Sequence, residues 1–510
     1  MRYLVNSKEM KQCDHNTIGF YEMPSMVLME RAALAVYSEI KKRFSKEQGK
    51  ILILCGLGNN GGDGFAVARL LHLAGYCTEI FIPQKGGRMS PEALHQYQIV
   101  QKYNVPEITD VRDDSYSVIV DALFGIGLSR SIEEPLYSLI SRINKMHAFR
   151  VAVDIASGIS ADTADVMGTA FCADLTVTFG FAKAGQLLYP GAAYTGELIT
   201  ADIGIDENAF LDAKPSGRSV TQEDICRLLP KRSAYSNKGT YGKALIIAGS
   251  PDMAGAAYFA AKAAYYSGCG LVRILTAKEN RQILLTKLPE AIITTYEADE
   301  TEVLALEECI QWADAVLIGP GLSQSATARK LLADTLRYRP KKALLDADAL
   351  NLLAKDRALL QGLSGEMAIT PHLGEMSRLT GKTIPQIQKN LCAAALEFAG
   401  KYHISCVLKD SRTVIGMPDK KFFVNATGNH GMATGGSGDV LAGFITGFLA
   451  QGLPFETALP LAVWLHGAAG DLAAEKKGAY SMTASDLLEM LPEAIHLSGK
   501  ESSENNGYRT

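Results

Sequence analysis

The sequence contains no run approaching the ~20 apolar residues that a membrane helix needs, and its opening, MRYLVNSKEMKQCDHNT, lacks the apolar core of a secretory leader. A membrane span and secretion are both unexpected, and the cytoplasm is the expected compartment. There is no CxxC and no Cys/His cluster at zinc spacing. The nine cysteines, an odd number, are scattered from Cys13 to Cys406, so neither a disulfide framework nor structural zinc is expected. Cys55, Cys77, Cys269 and Cys406 stand in apolar contexts and read as small core residues. No basic run occurs, and a net charge of -4 with mixed signs offers no field for a phosphate backbone, which turns attention to small-molecule partners. The GxxxxGK[ST] string is also missing, which disfavours a P-loop kinase.

What is present is an ordinary globular composition, 47% apolar and 21% charged over 510 residues. That length exceeds the ~250–300 residues at which single cores stop growing, so two domains are expected. From residue 51 short apolar runs alternate with helical periods. ILILCG (51–56), SVIVDA (117–122), RVAVDI (150–155) and DLTVTFG (174–180) read as strands of a parallel sheet buried on both faces, an α/β layout. FAVARLLHLAGY reads as the first crossover helix, with Val67, Leu70, Leu71 and Ala74 on one face, and PSMVLMERAALAVYSEIKKRF as an amphipathic helix before it. The alternation breaks near 205–240, where charge, Pro, Gly and Ser mix. It restarts with KALIIAGS, LVRILTA, AIITTYE, AVLIGPG, KKALLDA, EMAITPH and ISCVLKD as strands and GAAYFAAKAAYYSG and GDVLAGFITGFLAQG as helices. The expected organisation is a domain over 1–212, a linker at 213–224, a second domain over 225–498 and a frayed polar tail at 499–510.

In the first half, GLGNNGGDG (56–64) follows a strand and opens a helix, where exposed amides and the helix dipole favour an anion. Asn59, Asn60 and Asp63 add side-chain oxygens that a bare glycine turn lacks. Asp121 in VDALFGIG and Asp154 in VDIASGIS stand at the ends of two further strands, the end of an open α/β sheet at which ligands bind. Either aspartate alone reads as a cap or turn residue; the conjunction of the three segments argues for a cleft. Asn60, Asp121 and Ser157 can supply hard oxygen ligands to a cation such as K+. Gly125–Ser131 offers a loop for phosphate or ribose, and Asp154 is then the candidate acid/base.

In the second half, NATGNHGMATGGSGDVLAG (425–443) places Gly435, Gly436 and Gly438 at a turn into an apolar helix, an anion hole for a transferring phosphoryl group. Asp439 in the first helical turn is the candidate base; the bland reading is a favourable charge at a helix start. Asp346 and Asp348 in DADALN are secondary candidates.

NNGGDG, DALFGIG and VDIASG, in this order and at these intervals, resemble the NAD(P)HX epimerases, the N-terminal part of NAD(P)H-hydrate repair proteins. GSPDMAGAA, IGPGL, DADALN, TPHLGE, KDSRT and GGSGD are similar to the dehydratase part of the same family. The resemblance implies a Rossmann-like parallel-sheet domain followed by a ribokinase-like α/β domain. It further implies that Asn59, Asn60, Gly61, Gly62 and Asp63, then Gly125, Ile126, Gly127, Leu128, Ser129, Arg130 and Ser131, bind hydrated NADH or NADPH together with Asp154, and that Asn60, Asp121 and Ser157 hold K+. In the second domain it implies that Ala256, Gly321, His372 and Asp439 contact the hydrated cofactor, while Lys409, Asp410, Ser411, Arg412, Thr413 and Gly438 hold a nucleotide. The expected nucleotide is ADP, or ATP, used with Mg2+. A homo-oligomer is also implied. The rival reading is a ribokinase-like small-molecule kinase with a non-catalytic N-terminal binding module.

Overall fold

A computed structural model describes residues 1–111, 116–297 and 303–504, with side chains through residue 498. Two compact units divide the chain: Tyr3–Gly217, and Arg218 onward together with Met1–Arg2.

In the first unit a seven-stranded parallel sheet runs, edge to edge, Glu107–Ile108, Thr78–Phe81, Lys50–Cys55, Tyr116–Ala122, Phe149–Val153, Leu175–Phe179 and Glu197–Ala201. The first strand in sequence of this sheet, Lys50–Cys55, lies inside it, so the chain winds outward first one way and then the other. The switch point falls between Lys50–Cys55 and Tyr116–Ala122, where ligands bind in doubly wound sheets. The four strands expected from sequence are present. The edge strands were not apparent, because Glu107–Ile108 is only two residues long and Glu197–Ala201 carries no sustained apolar run. The helix Asn59–Leu73 begins six residues before the expected FAVARLL segment, so Asn59–Asp63 lie in its first turns rather than in a loop. A helix at Ser7–Gly19, capped reciprocally by Asn6 and Glu9, precedes the amphipathic helix Ser25–Arg43.

The second unit orders its parallel strands Ile292–Tyr296, Leu271–Ala277, Lys243–Ile247, Ala315–Ile318, Ala343–Leu345, Met367–Ile369 and Ser405–Leu408, each within one of the seven expected runs. Val414–Gly416 and Phe422–Val424 then continue antiparallel. The glycine-rich helix Ser437–Ala450 is buried over its length from Val440 and packs on Ala254–Tyr266.

Cys55, Cys269 and Cys406 are buried as expected, but Cys77 is exposed, since it follows the Gly75 turn before its strand begins. The final helix, Ala484–Glu504, runs into the segment expected to fray, and positions 505–510 lie outside the described residues. No described helix is long and apolar enough to cross a membrane.

Candidate active sites

At the carboxyl end of the N-terminal sheet, three segments enclose a cavity of about 570 Å³. The first is the turn into Asn59–Leu73. A Cβ at Gly56 would lie 2.0 Å from the Leu123 carbonyl oxygen, and one at Gly61 would lie 1.9 Å from the Gly56 oxygen. Only glycine lets strand, turn and helix close this tightly, and the closure sets Asn59, Asn60 and Asp63 on the wall while Gly61 and Gly62 are buried behind it. The second segment, Gly125–Arg130, also lines the cavity, but Ser131 does not. The third is Asp154, the residue after Phe149–Val153.

Asp154 adopts φ +66°, a left-handed conformation uncommon outside glycine. Its amide donates to Val177 O at 2.9 Å and its carbonyl accepts from Gln186 Nε2 at 2.7 Å. Its Oδ1 accepts from Lys183 Nζ at 2.6 Å, Thr178 Oγ1 at 3.1 Å and the Phe179 amide at 3.4 Å. Neither Lys183 nor Asp14, a cavity residue on Ser7–Gly19, was expected from the sequence. The one available signal for Lys183 was a single charge in the otherwise uncharged run TVTFGFAKAGQLLY. Asp14 and Asp63 both face the charge of Asp154. Burial first, then that charge, pushes the Asp14 carboxyl up to about 6 and Asp63 well above the carboxylate range.

Asp121 and Ser157 do not line the cavity but are joined to each other. Ser157 donates to Asp121 through its amide and its hydroxyl, both at 2.7 Å, and the Leu123 amide adds a third bond at 3.1 Å. Asp121 is fully buried, and burial pushes its carboxyl up to about 6 against those three donors. Among the described residues no basic side chain reaches it, and the buried Asn60 amide nitrogen has no partner. A buried carboxylate with hydrogen bonds but no countercharge suits a monovalent cation held by hard oxygens.

In the second unit, Lys409 follows the strand Ser405–Leu408 and ties it to Asp346 at the end of Ala343–Leu345, Nζ to Oδ1 at 2.9 Å. Asp346 also accepts from Thr370 Oγ1 at 2.6 Å. Burial alone would lower the Lys409 ammonium, but Asp346, Glu375 and more distantly Asp439 hold it above the usual range. A Cβ on Gly438 would stand 3.3 Å from Lys409 Nζ, so this cation sits against the first turn of Ser437–Ala450. That helix starts after Gly436 without a side-chain cap, and while the Ser437 amide donates to Thr434 O at 3.4 Å, the Gly438 and Asp439 amides are left to an anion. Asp439, in the same turn, has its carboxyl pushed up to about 7 by burial first and by Asp346 and Asp348, with Lys409 opposing.

Asp439, Gly438, Lys409 and Asp346 are therefore one cluster. Ala256 and Gly321 form a second contact: Gly321 has φ +55°, and a Cβ there would meet the Ala256 Cβ at 2.8 Å. His372 caps Leu373–Thr380, its Nδ1 accepting from the Gly374 amide at 3.0 Å, and it pairs with Lys409 through a parallel bridge. Burial and the neighbouring Lys409 and Arg378 hold its ring below the usual histidine range. Arg412 donates to Ala426 O, and Thr413 O accepts from the Asn425 amide, so these two brace the segment leading to the glycine turn. Ser411 is exposed and Asp410 half-buried, and no described contact joins either to the cluster. Asp348 does not bond Lys409 but accepts from the Ser323 amide at 2.9 Å.

Sequence reasoning also missed His466 and Asp471, both on Phe455–Lys477. His466 Nε2 lies 3.0 Å from Ser437 O, and Asp471 accepts from the Gly428 amide and Asn429 Nδ2, each at 2.9 Å.

Residues 25–185 match the family model of the YjeF-related protein N-terminus, and residues 244–493 match that of NAD(P)H-hydrate dehydratase. The bifunctional NAD(P)H-hydrate repair enzyme Nnr of Moorella thermoacetica is 39% identical, covering 96% of this chain and 96% of its own length. That of Escherichia coli is 36% identical over 92% of this chain and 89% of its own. Among solved structures, a ribokinase-like superfamily protein from Enterococcus faecalis superposes with a TM-score of 0.51 at 30% identity, covering 56% of this chain and 97% of that one.

Proposed function

The chain belongs to the bifunctional NAD(P)H-hydrate repair enzymes, and from that premise we propose that its N-terminal unit exchanges the R and S epimers of hydrated NADH and NADPH while its C-terminal unit dehydrates the S epimer. One observation carries the reading furthest. Asp439, whose carboxyl is pushed up to about 7, stands at an uncapped helix start beside the Lys409 ammonium. A base poised near neutrality next to an uncapped helix start suits proton removal from an alcohol as that alcohol is phosphorylated.

In this reading ADP is the donor. Asp439 takes the proton of the ring hydroxyl as its oxygen bonds to the β-phosphorus, and the bond to the α-phosphate breaks to release AMP. Phosphate then leaves with the C–O electron pair, and loss of a proton from the adjacent ring carbon restores the dihydronicotinamide. Lys409 and the Gly435–Gly438 turn balance charge on the transferring group, Ala256, Gly321 and His372 border the hydrated ring, and Mg2+ bound with the nucleotide would neutralise phosphoryl oxygens. The turn at Lys409–Thr413 takes the rest of the nucleotide.

In the first unit the hydroxyl leaves the hydrated ring carbon with its electron pair, and the ring nitrogen supplies the electrons that stabilise that carbon. Water adds to the opposite face and gives its proton to Asp154, which passes it to the departed hydroxide to release water. Asn59–Asp63 and Gly125–Ser131 hold the substrate. Asn60, Asp121 and Ser157 would hold K+, which would supply the countercharge that the buried Asp121 lacks. The enzyme works in the cytoplasm as a homo-oligomer.

The test is to supply both epimers of hydrated NADH with K+, Mg2+ and ADP and follow the return of NADH absorbance. Full recovery is expected. Recovery confined to the S fraction would make the first unit a binding module, and none with either ADP or ATP would overturn the dehydratase and favour a small-molecule kinase.

A further inference from the structure

Lys183 lies in the short stretch Ala182–Leu187 that follows Leu175–Phe179, and its side chain is wholly buried. A buried ammonium is costly unless it is paired and its hydrogens are used. All three have acceptors here: Asp154 Oδ1 at 2.6 Å, Thr178 Oγ1 at 2.8 Å and Phe179 O at 3.5 Å. Thr178 passes its own hydroxyl hydrogen to the same Asp154 oxygen, and the Phe179 amide adds a further donor. Oδ1 is thus engaged by three groups, while among the described residues nothing donates to Oδ2.

The same stretch also grips the Asp154 backbone. Gln186 donates to the Asp154 carbonyl through Nε2 and accepts from the Lys183 amide through Oε1 at 2.9 Å. The left-handed φ of Asp154 is therefore held by its neighbours, as strained functional residues are. Because every hydrogen of the Lys183 ammonium is committed, it is not placed to give a proton to substrate. The other charged groups on the cavity wall are Lys11 and Asp14 on Ser7–Gly19, Asp63 on Asn59–Leu73, Glu92 on Pro91–Lys102 and Arg130 in the 125–130 loop.

We propose that Lys183 is the positioning residue of the epimerase centre: by locking Oδ1 of Asp154 it leaves Oδ2 as the one oxygen that exchanges a proton with substrate. This rests on the epimerase reading above and assigns Lys183 a role through Asp154 rather than through binding.

The experiment measures kcat and KM for epimer exchange in the full-length wild type, K183M and K183R, with the dehydratase rate of the same chain as an internal check on integrity. K183M should lower kcat for exchange about 100-fold and leave KM within about threefold. K183R should recover part of that loss. Unchanged kcat in K183M, or a rise in KM alone, overturns the assignment. If K183M does not fold, T178V decides, because it removes one donor to Oδ1 and one acceptor from Lys183. A kcat lowered about fivefold at unchanged KM supports the assignment, whereas wild-type kinetics defeat it. Absence of exchange in the wild type would instead remove the epimerase reading and this role with it, an outcome told apart by the wild-type trace.

Discussion

Asp439 has its carboxyl held near 7 by burial and by two neighbouring aspartates, and this fixes the direction of a pH effect. As the proposed base it works only when ionised, and its ionisation is shifted upward, so dehydration should slow as pH falls through about 7 and level off above it. A rate profile of S-epimer dehydration from pH 5.5 to 9, at saturating nucleotide, checks this. Asp439→Asn should lower dehydration about a thousandfold or more while epimer exchange continues. At Asp154 the choice of variant matters. Asp154→Asn keeps an oxygen for Lys183 and should remove exchange with little unfolding. Asp154→Ala strands a buried ammonium, a loss of about 3–5 kcal/mol, and should lower the melting temperature as well.

Two helices of the second unit meet backbone to backbone. A Cβ on Gly443 would lie 1.9 Å from Ala260 O, and one on Gly447 would lie 2.0 Å from Ser267 Oγ and 2.6 Å from Ala264 O. The glycines at this helix thus have different causes: Gly435, Gly436 and Gly438 leave bare backbone for the proposed anion hole, whereas Gly443 and Gly447 serve packing. Gly443→Ala must push Ala254–Tyr266 away, at about 1–3 kcal/mol. Calorimetry should show the melting temperature falling, and dehydration should weaken more than exchange does. Phe455–Lys477 holds the glycine segment from its other side, through Asp471 to Gly428 and Asn429 and through Thr427 to Trp464 O. Asp471→Ala unmakes two bonds of about 1 kcal/mol each. It should slow dehydration through a misplaced turn, and the nucleotide KM should rise.

At the scale of the whole molecule, each unit carries its own proposed proton-transfer group, Asp154 in one and Asp439 in the other. The first delivers what the second consumes, since a stereospecific dehydratase leaves the R epimer behind. Asp154→Asn should therefore return only the S fraction of a mixed hydrate quickly, and Asp439→Asn should return none. Mixing the two variants should restore full recovery, because the S epimer can diffuse from one protein to the other. Failure of the mixture with both single activities intact would mean that transfer requires both centres in one chain.

The alternation of apolar runs and helical periods marked the parallel strands of both sheets, because a strand buried on both faces must be apolar throughout, whereas the antiparallel Val414–Gly416 and Phe422–Val424, three residues each, left no such signal. The glycine strings located both turns for a related reason: close backbone approach at Gly56 and Gly61 admits no other residue. The aspartates at strand ends could be read as candidates, since in a doubly wound sheet those ends form the cleft. Partnership was another matter. Asp154 meets Lys183 29 residues away, Asp121 meets Ser157 36 away, and Asp346 meets Lys409 63 away. Periodicity tells which face a residue takes, and a motif tells where a turn falls, but which charge faces which is set by strand order and register across crossovers. Only the tertiary structure decided that a lone lysine after the sixth strand, outside every motif, would close on Asp154, and that Asp348 would turn to Ser323 while Asp346 took Lys409.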